Sequence, residues 1–249
     1  MKRRDFLKAS ALFGGVMILP SALAAKVKGA NSRANIAIIG WGGQGKSSVN
    51  SIFNSNDANI VALCDVDEGY AAYCYRDDRG KFLMQNIGSL PKFKDYRVML
   101  DKMDSDIDGV CVCTPDHSHY PISAWAISKG KHVFCEKAMA YTVDECKQMY
   151  DVWKETGQVL YIGQQRLFDK KYIRAVELIN SGEIGQIVAL RNFWFRNNDW
   201  RRPVPSPEFE RLINWRLYRE HSCGLMTELA CHQVQLGTWI YKDIPETIM

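Results

Sequence analysis

The run Ile36-Ala37-Ile38-Ile39-Gly40-Trp41-Gly42-Gly43-Gln44-Gly45 constrains this chain more than any other stretch. Its apolar start predicts a buried strand, and the Gly-x-Gly-x-x-Gly behind it predicts a tight turn into a helix. Gly40 permits the turn, Gly42 lets backbone approach a pyrophosphate, and Gly45 lets the helix pack closely on the strand. The helix start at Gly43 offers free N–H groups and a positive dipole end to phosphates. Trp41 and Gln44 lie inside the same loop and are expected beside the cofactor. Asp65 lies twenty residues beyond Gly45, at the end of the next apolar run. A carboxylate there accepts hydrogen bonds from a ribose and repels a 2′-phosphate, so NAD is expected in preference to NADP. Gly40-x-x-x-x-Gly45-Lys46-Ser47 also matches a Walker loop literally. Asp65 and the residues after it decide against that alternative.

The rest of the first two-thirds supports a doubly wound domain. Short apolar runs at 35–39, 60–64, 109–113, 132–135 and 159–162 read as strands. Between them, 43–54, 96–103, 119–129 and 143–156 carry apolar residues at helical spacing. Strands separated by helices imply right-handed crossovers and a parallel sheet covered on both faces. Gly130 and Gly157 stand where helices should end. Beyond Gly163 the texture changes. A helix is expected at 170–181, a strand at 186–195, a polar loop at 194–207 and a last helix at 225–240. Ile244 looks like the start of another strand. One long strand and a stub cannot close a sheet, so the second domain is expected to be cut short, with the gene product continuing past Met249.

The amino terminus has the parts of an export signal. Lys2, Arg3, Arg4 and Lys8 precede an apolar run at 11–19 and a small-residue exit at Ala22-Leu23-Ala24. Arg3-Arg4 with Phe6-Leu7-Lys8 behind them resembles a twin-arginine signal, which is read by a receptor and is not an anchor. The apolar run is far shorter than the roughly 20 residues that span a bilayer. Residues 1–24 are therefore expected to be a signal peptide and 25–33 a linker, with a periplasmic or cell-envelope destination. The whole chain has 32 Lys+Arg against 28 Asp+Glu; without Lys2, Arg3, Arg4, Lys8 and Asp5 these become 28 and 27. No basic stripe remains to argue for nucleic acid, and no apolar stretch argues for a membrane span.

Of the eight cysteines, Cys64, Cys111, Cys113 and Cys135 sit at the ends of strand-like runs. Such thiols pack as small hydrophobes. No second cysteine pair or adjacent histidine set completes a metal site, so no metal is expected.

Two further motifs lie downstream: Cys113-Thr114-Pro115-Asp116-His117-Ser118-His119, and Gly130-Lys131-His132-Val133-Phe134-Cys135-Glu136-Lys137. With the glycine loop ahead of them, they make the chain resemble the Gfo/Idh/MocA oxidoreductases from Asn35 to the end. The resemblance implies an α/β protein with an N-terminal Rossmann domain at 34–163 and an α+β C-terminal domain from 164, incomplete at 249. It implies that Thr114, Pro115, His117 and His119 lie at the cofactor, though His117 on its own reading could instead cap the following helix. Lys137 is implied beside the nicotinamide ribose and the substrate, where a cation stabilises a developing alkoxide. Glu136 is implied beneath the cofactor. One departure is Ala138, where the family has proline. Its loss would loosen the turn or remove a cis bond.

Glu228 and His232 stand four apart, on one face of the last helix. The family has an aspartate four residues before an acid–base histidine here, so the resemblance makes His232 the general base and Glu228 a partner of the substrate hydroxyls. Gln165 is expected at the nicotinamide and Arg166 at the substrate. Trp194, Asn197, Asn198, Trp200, Arg201, Arg202 and Trp215 combine flat apolar faces with hydrogen-bond forks, which suits a polyhydroxylated ring as well as a packed inter-domain or subunit loop. The expected activity is hydride transfer between a sugar, glycoside or polyol carbinol and a tightly held NAD. Alternatives are a glycosidase that oxidises, eliminates, hydrates and re-reduces, and a non-catalytic sugar- or nucleotide-binding relative. A carbohydrate is the expected small-molecule partner, and a homo-oligomer could form through the C-terminal sheet.

Overall fold

The computed structural model describes residues 33–195, 197 and 199–247. The segment expected to be an export signal, most of the expected linker and Asn198 lie outside the described residues. One compact unit ends at Gly163 and a second begins at Gln164.

The first unit is a six-stranded parallel sheet. Its strands are β1 (Ala34–Ile39), β2 (Ala58–Cys64), β3 (Lys92–Phe93), β4 (Gly109–Val112), β5 (His132–Glu136) and β6 (Leu160–Gly163), in the spatial order β3-β2-β1-β4-β5-β6. That order reverses direction between β1 and β4, so a crevice opens there at the carboxyl ends of the strands. Six helices connect the strands: α1 (Gly43–Phe53), α2 (Glu68–Tyr73), α3 (Asp78–Ile87), α4 (Tyr96–Lys102), α5 (His119–Ser128) and α6 (Val143–Thr156).

Strand alternation sorts the core into two layers. Ile36, Ile38, Leu63, Cys111 and Phe134 pack with Val49 and Ile52 of α1 and Leu83 and Ile87 of α3. Ala37, Ile39, Ala62, Cys64, Val110, Val112, Val133 and Cys135 face Met99 and Leu100 of α4 and Ile122, Ala126 and Ile127 of α5. Each of the larger aliphatic side chains taken fully out of water contributes about 1.5–3 kcal/mol. α6 is fixed at both ends. Thr142 and Glu145 form a capping box, and Gly157 takes the left-handed conformation at φ 65°.

Cys64, Cys111 and Cys135 are buried and unbridged, and burial pushes the Cys64 thiol up to about 12. Cys111 and Cys113 share one face, with their sulfurs 3.5 Å apart.

Two helices and a strand occupy 66–95, where the sequence pattern assigned no element. Asp67 and Asp77 cap α2 and α3 through their side chains, accepting from Tyr70 N–H and Gly80 N–H.

In the second unit, α7 (Lys170–Asn180) is followed by α8 (Glu210–Ile213), a π-helical turn (Met226–Ala230) and α9 (Cys231–Tyr241). The strand expected at 186–195 is not formed, nor is one at 244–247. Alternation supplies a face, but a ladder needs a hydrogen-bonding neighbour. Among the described residues none pairs with 186–195, and Val188, Phe193 and Phe195 are exposed. No described helix is long and apolar enough to cross a membrane.

Candidate active site

In the first unit the expected cofactor residues gather at the carboxyl ends of β1, β2, β4 and β5. The turn after β1 is dictated by space. Gly40 has φ 80°, and a Cβ there would lie 2.8 Å from the Cys113 carbonyl oxygen. A Cβ on Gly45 would stand 1.9 Å from the Gly40 carbonyl oxygen, so α1 crosses β1 at a distance only glycine allows. A Cβ on Gly42 would come within 3.1 Å of Ala71 Cα. Trp41 is buried, and the Tyr75 hydroxyl donates to its carbonyl oxygen at 2.8 Å.

α1 starts with no side-chain cap and no acidic residue in its first turn. The Gly43 N–H donates to Cys74 Sγ at 3.2 Å, and the N–H groups that follow it in the first turn keep their affinity for an anion. Asp65 lies just past β2, and its carboxylate accepts from the Asp67 N–H at 3.1 Å and from the backbone of Gly42 and Trp41. Burial nonetheless raises its pKa, with the backbone donors opposing the shift. A carboxylate held against an uncapped glycine loop fits a dinucleotide with a free ribose diol. Lys46, the residue a Walker loop would turn toward phosphate, is instead paired with Asp77 and lies over the Tyr75 ring.

Across the crevice, Ser118 Oγ donates to the Pro115 carbonyl oxygen at 2.7 Å and is hydrogen-bonded to the Thr114 hydroxyl at 2.8 Å, closing the turn after β4. His117 is half-buried in that turn, its N–H donating to Asp116 Oδ1 at 3.1 Å. His119, expected at the cofactor, is 1% exposed, and both its ring nitrogens lie against backbone carbonyls.

After β5, Glu136 Oε1 accepts from Gln44 Nε2 at 3.2 Å and Oε2 from the Lys137 N–H at 3.3 Å. Burial raises its pKa, and Gln44 and Lys137 pull it back. Gln44 is thereby tied to Glu136 as well as to the glycine loop. The Lys137–Ala138 peptide bond is cis without the proline.

The second unit assembles two groups of its own. Trp194 lies 5.4 Å from the ring of His232, which is 2% exposed, and the Arg166 guanidinium stacks over Trp194 and Tyr172 at 5.0 and 5.3 Å. Gln165 is exposed at the start of the short 3-10 turn Gln165–Phe168.

The other group surrounds Glu228. Glu228, expected to partner the substrate hydroxyls, already has protein partners for its carboxylate. Arg216 Nε donates to Oε2 at 3.0 Å and Ser222 Oγ to Oε1 at 3.3 Å, and Glu228 is 6% exposed. Arg216 also stacks on Trp215 at 4.1 Å and Trp200 at 5.6 Å. Arg216 and Ser222 were not legible as site residues, because nothing local marks a guanidinium or a hydroxyl that binds a carboxylate twelve or six positions on. Arg201 pairs with Glu210, and the backbone of Arg202 is pinned from both sides by Asn214. Among the described residues no cluster of three metal-ligating side chains occurs.

A family model described as the oxidoreductase family with an NAD-binding Rossmann fold matches residues 34–164, and a GFO/IDH/MocA C-terminal domain model matches 172–249. The chain belongs to the GFO/IDH/MocA oxidoreductase family. Its first unit is the NAD-binding Rossmann domain of that family. Myo-inositol 2-dehydrogenase of Thermotoga maritima is 24% identical over 214 residues, covering 86% of this chain and 56% of that protein. The aldose-aldose oxidoreductase of Caulobacter crescentus, solved with glycerol, superposes with a TM-score of 0.65 at 24% identity, over 86% of this chain and 59% of that one. The scyllo-inositol dehydrogenase of Lactobacillus casei, solved with NAD(H) and scyllo-inositol, gives 0.62 at 21% identity, over 84% and 56%. At these identities the solved structures establish the fold. The chain spans about half the length of the relatives it matches.

Proposed function

We propose that this chain is the NAD-binding part of a dehydrogenase that oxidises a CH–OH group of a sugar, glycoside or polyol. The observation that carries the reading is the uncapped start of α1 with Asp65 held against the glycine loop. The first turn of α1, approached across the bare backbone of Gly42, would take the pyrophosphate, and Asp65 the adenosine ribose. Bound there, NAD supplies a hydride acceptor.

The protein's share of the chemistry falls to a few side chains. His232 accepts the hydroxyl proton as hydride leaves the carbinol carbon. The Lys137 ammonium stabilises the alkoxide that develops. Glu228, occupied by Arg216 and Ser222, acts by fixing Arg216 against Trp200 and Trp215 and does not itself grip a hydroxyl. The aromatic faces of Trp194, Trp200 and Trp215 suit the faces of a polyhydroxylated ring, and the relatives named for inositols favour a cyclic polyol or pyranose.

The paired Arg3 and Arg4 support export by the twin-arginine route, to the periplasm or cell envelope. A protein exported folded carries its dinucleotide with it, so slow NAD release belongs to this reading. The aldose-aldose name of one relative supports recycling of the cofactor by a second sugar.

The test uses the full-length exported protein. Denaturation should release nicotinamide, and inositols or aldoses should then turn the bound cofactor over, followed by reduced-cofactor absorbance. A protein that neither holds nor binds NAD would overturn the proposal. Sugar release from a glycoside without net reduction would make the activity hydrolysis instead. His232→Asn should keep NAD and lose turnover, and full turnover in that variant would remove His232 from the mechanism.

A further inference from the structure

One buried ring joins the turn after β4 to the turn that carries Lys137. His119 opens α5 and is 1% exposed. Its Nε2 lies 2.8 Å from the Thr114 carbonyl oxygen and its Nδ1 lies 2.6 Å from the Ala138 carbonyl oxygen. A carbonyl oxygen only accepts, and a neutral imidazole has one N–H. Two contacts of this length use two N–H groups, which the imidazolium alone possesses.

We propose that His119 is a doubly protonated strut that clamps the Lys137 turn to the Thr114 turn and so positions Lys137. A neutral ring would set a nitrogen lone pair against a carbonyl lone pair at under 3 Å, and one turn would have to withdraw. His119 is a positioning residue; the significance of what it positions rests on the role given above to Lys137.

A buried cation is costly unless its hydrogen bonds are made. Here both N–H groups end on carbonyl dipoles, and Asp116 supplies a buried carboxylate on the preceding turn. The other titratable groups on the clamped segments are His117, Glu136, Lys137 and Tyr141, with the thiol of Cys113 just past β4 and that of Cys135 on β5. The flanking helices add little. The charged side chains of α4 and α6 are exposed, apart from Glu145, which is half-buried and engaged in the capping box.

The charge state can be read directly. In the full chain with nitrogen-15-labelled histidine, both ring nitrogens of His119 should carry a proton at neutral pH. The signal is assigned by its loss in His119→Gln. One protonated and one bare nitrogen in the wild-type protein would overturn the proposal; if His119→Gln fails to fold, through-space contacts of the ring protons with Thr114 and Ala138 assign the signal instead. Amide exchange of the segment 136–141 should accelerate several-fold in His119→Phe and less in His119→Gln, whose amide keeps two N–H donors. Equal exchange in all three proteins would also overturn it. Turnover of Lys137→Met is scored separately. Wild-type turnover there would remove Lys137 from catalysis and leave the strut standing.

Discussion

Gly45→Ala tests the closeness of α1 to β1. The new methyl carbon would be built 1.9 Å from the Gly40 carbonyl oxygen, and real contacts of this kind do not fall below 3.0 Å. The obstacle is backbone, so the start of α1 must retreat by about 1 Å. Overpacking of this kind costs on the order of 3 kcal/mol, offset by about 1 kcal/mol because alanine is the better helix former. At roughly 2–4 °C per kcal/mol, Tm should fall by roughly 4–8 °C. The amides at the helix start move with it, far enough to break a hydrogen bond. Losing one charge-assisted bond, about 1.5–3 kcal/mol, weakens NAD binding by roughly 10- to 100-fold. Thermal denaturation and titration with NADH, read by tryptophan fluorescence, measure both effects. Gly130→Ala is the comparison. Gly130 has φ 74° and open space around its Cβ, so only left-handed strain of about 1–2 kcal/mol applies, with NAD affinity unchanged. A Gly45→Ala protein with wild-type Tm and NAD affinity would refute the reasoning.

Asp65→Asn should stabilise the NAD-free protein at neutral pH while weakening NAD binding and its preference over NADP. Burial raises the folded pKa of Asp65, so its favourable contribution is present below the unfolded value of about 3.9 and is lost as pH rises through the folded value. Urea midpoints of the two proteins should therefore converge in acid and part toward neutrality. Arg216→Met leaves the 6% exposed Glu228 carboxylate without its cation, and urea unfolding should show a loss of about 2 kcal/mol, below the full buried-pair figure because Arg216 is partly exposed. Adding Glu228→Gln should recover part of it. Thr142→Ala removes the capping box of α6 and should lower stability by about 1 kcal/mol in the same assay.

The sheet was legible because its strands are short runs of Ile, Val, Ala and Cys that the helices cover on both sides. α2, α3 and β3 were not. The stretch from Val66 to Lys92 is polar with weak periodicity, and only the capping aspartates Asp67 and Asp77 marked the helix starts. At 186–195 the reverse happened, since local alternation predicted a strand whose formation depends on partners elsewhere. The positions of Asp65 and the Gly40–Gly45 turn derive from spacing along one βαβ unit. The clamping of His119 and the neutralisation of Glu228 depend on carbonyls and a guanidinium brought in by folding, which no spacing rule reaches. Sequence types such as histidine and glutamate announce chemistry. Whether their polar atoms are already spent is decided by tertiary contacts.

The buried thiols give the sheet a built-in clock. Only a thiolate attacks an alkylating reagent, and burial withholds from Cys64 both ionisation and access. Cys223 is exposed and would be consumed first. Cys64, Cys111 and Cys135 sit on β2, β4 and β5, so each can react only when its own strand parts from its cover. The order in which they are labelled in the native protein therefore records which seam of the nucleotide-binding sheet opens first.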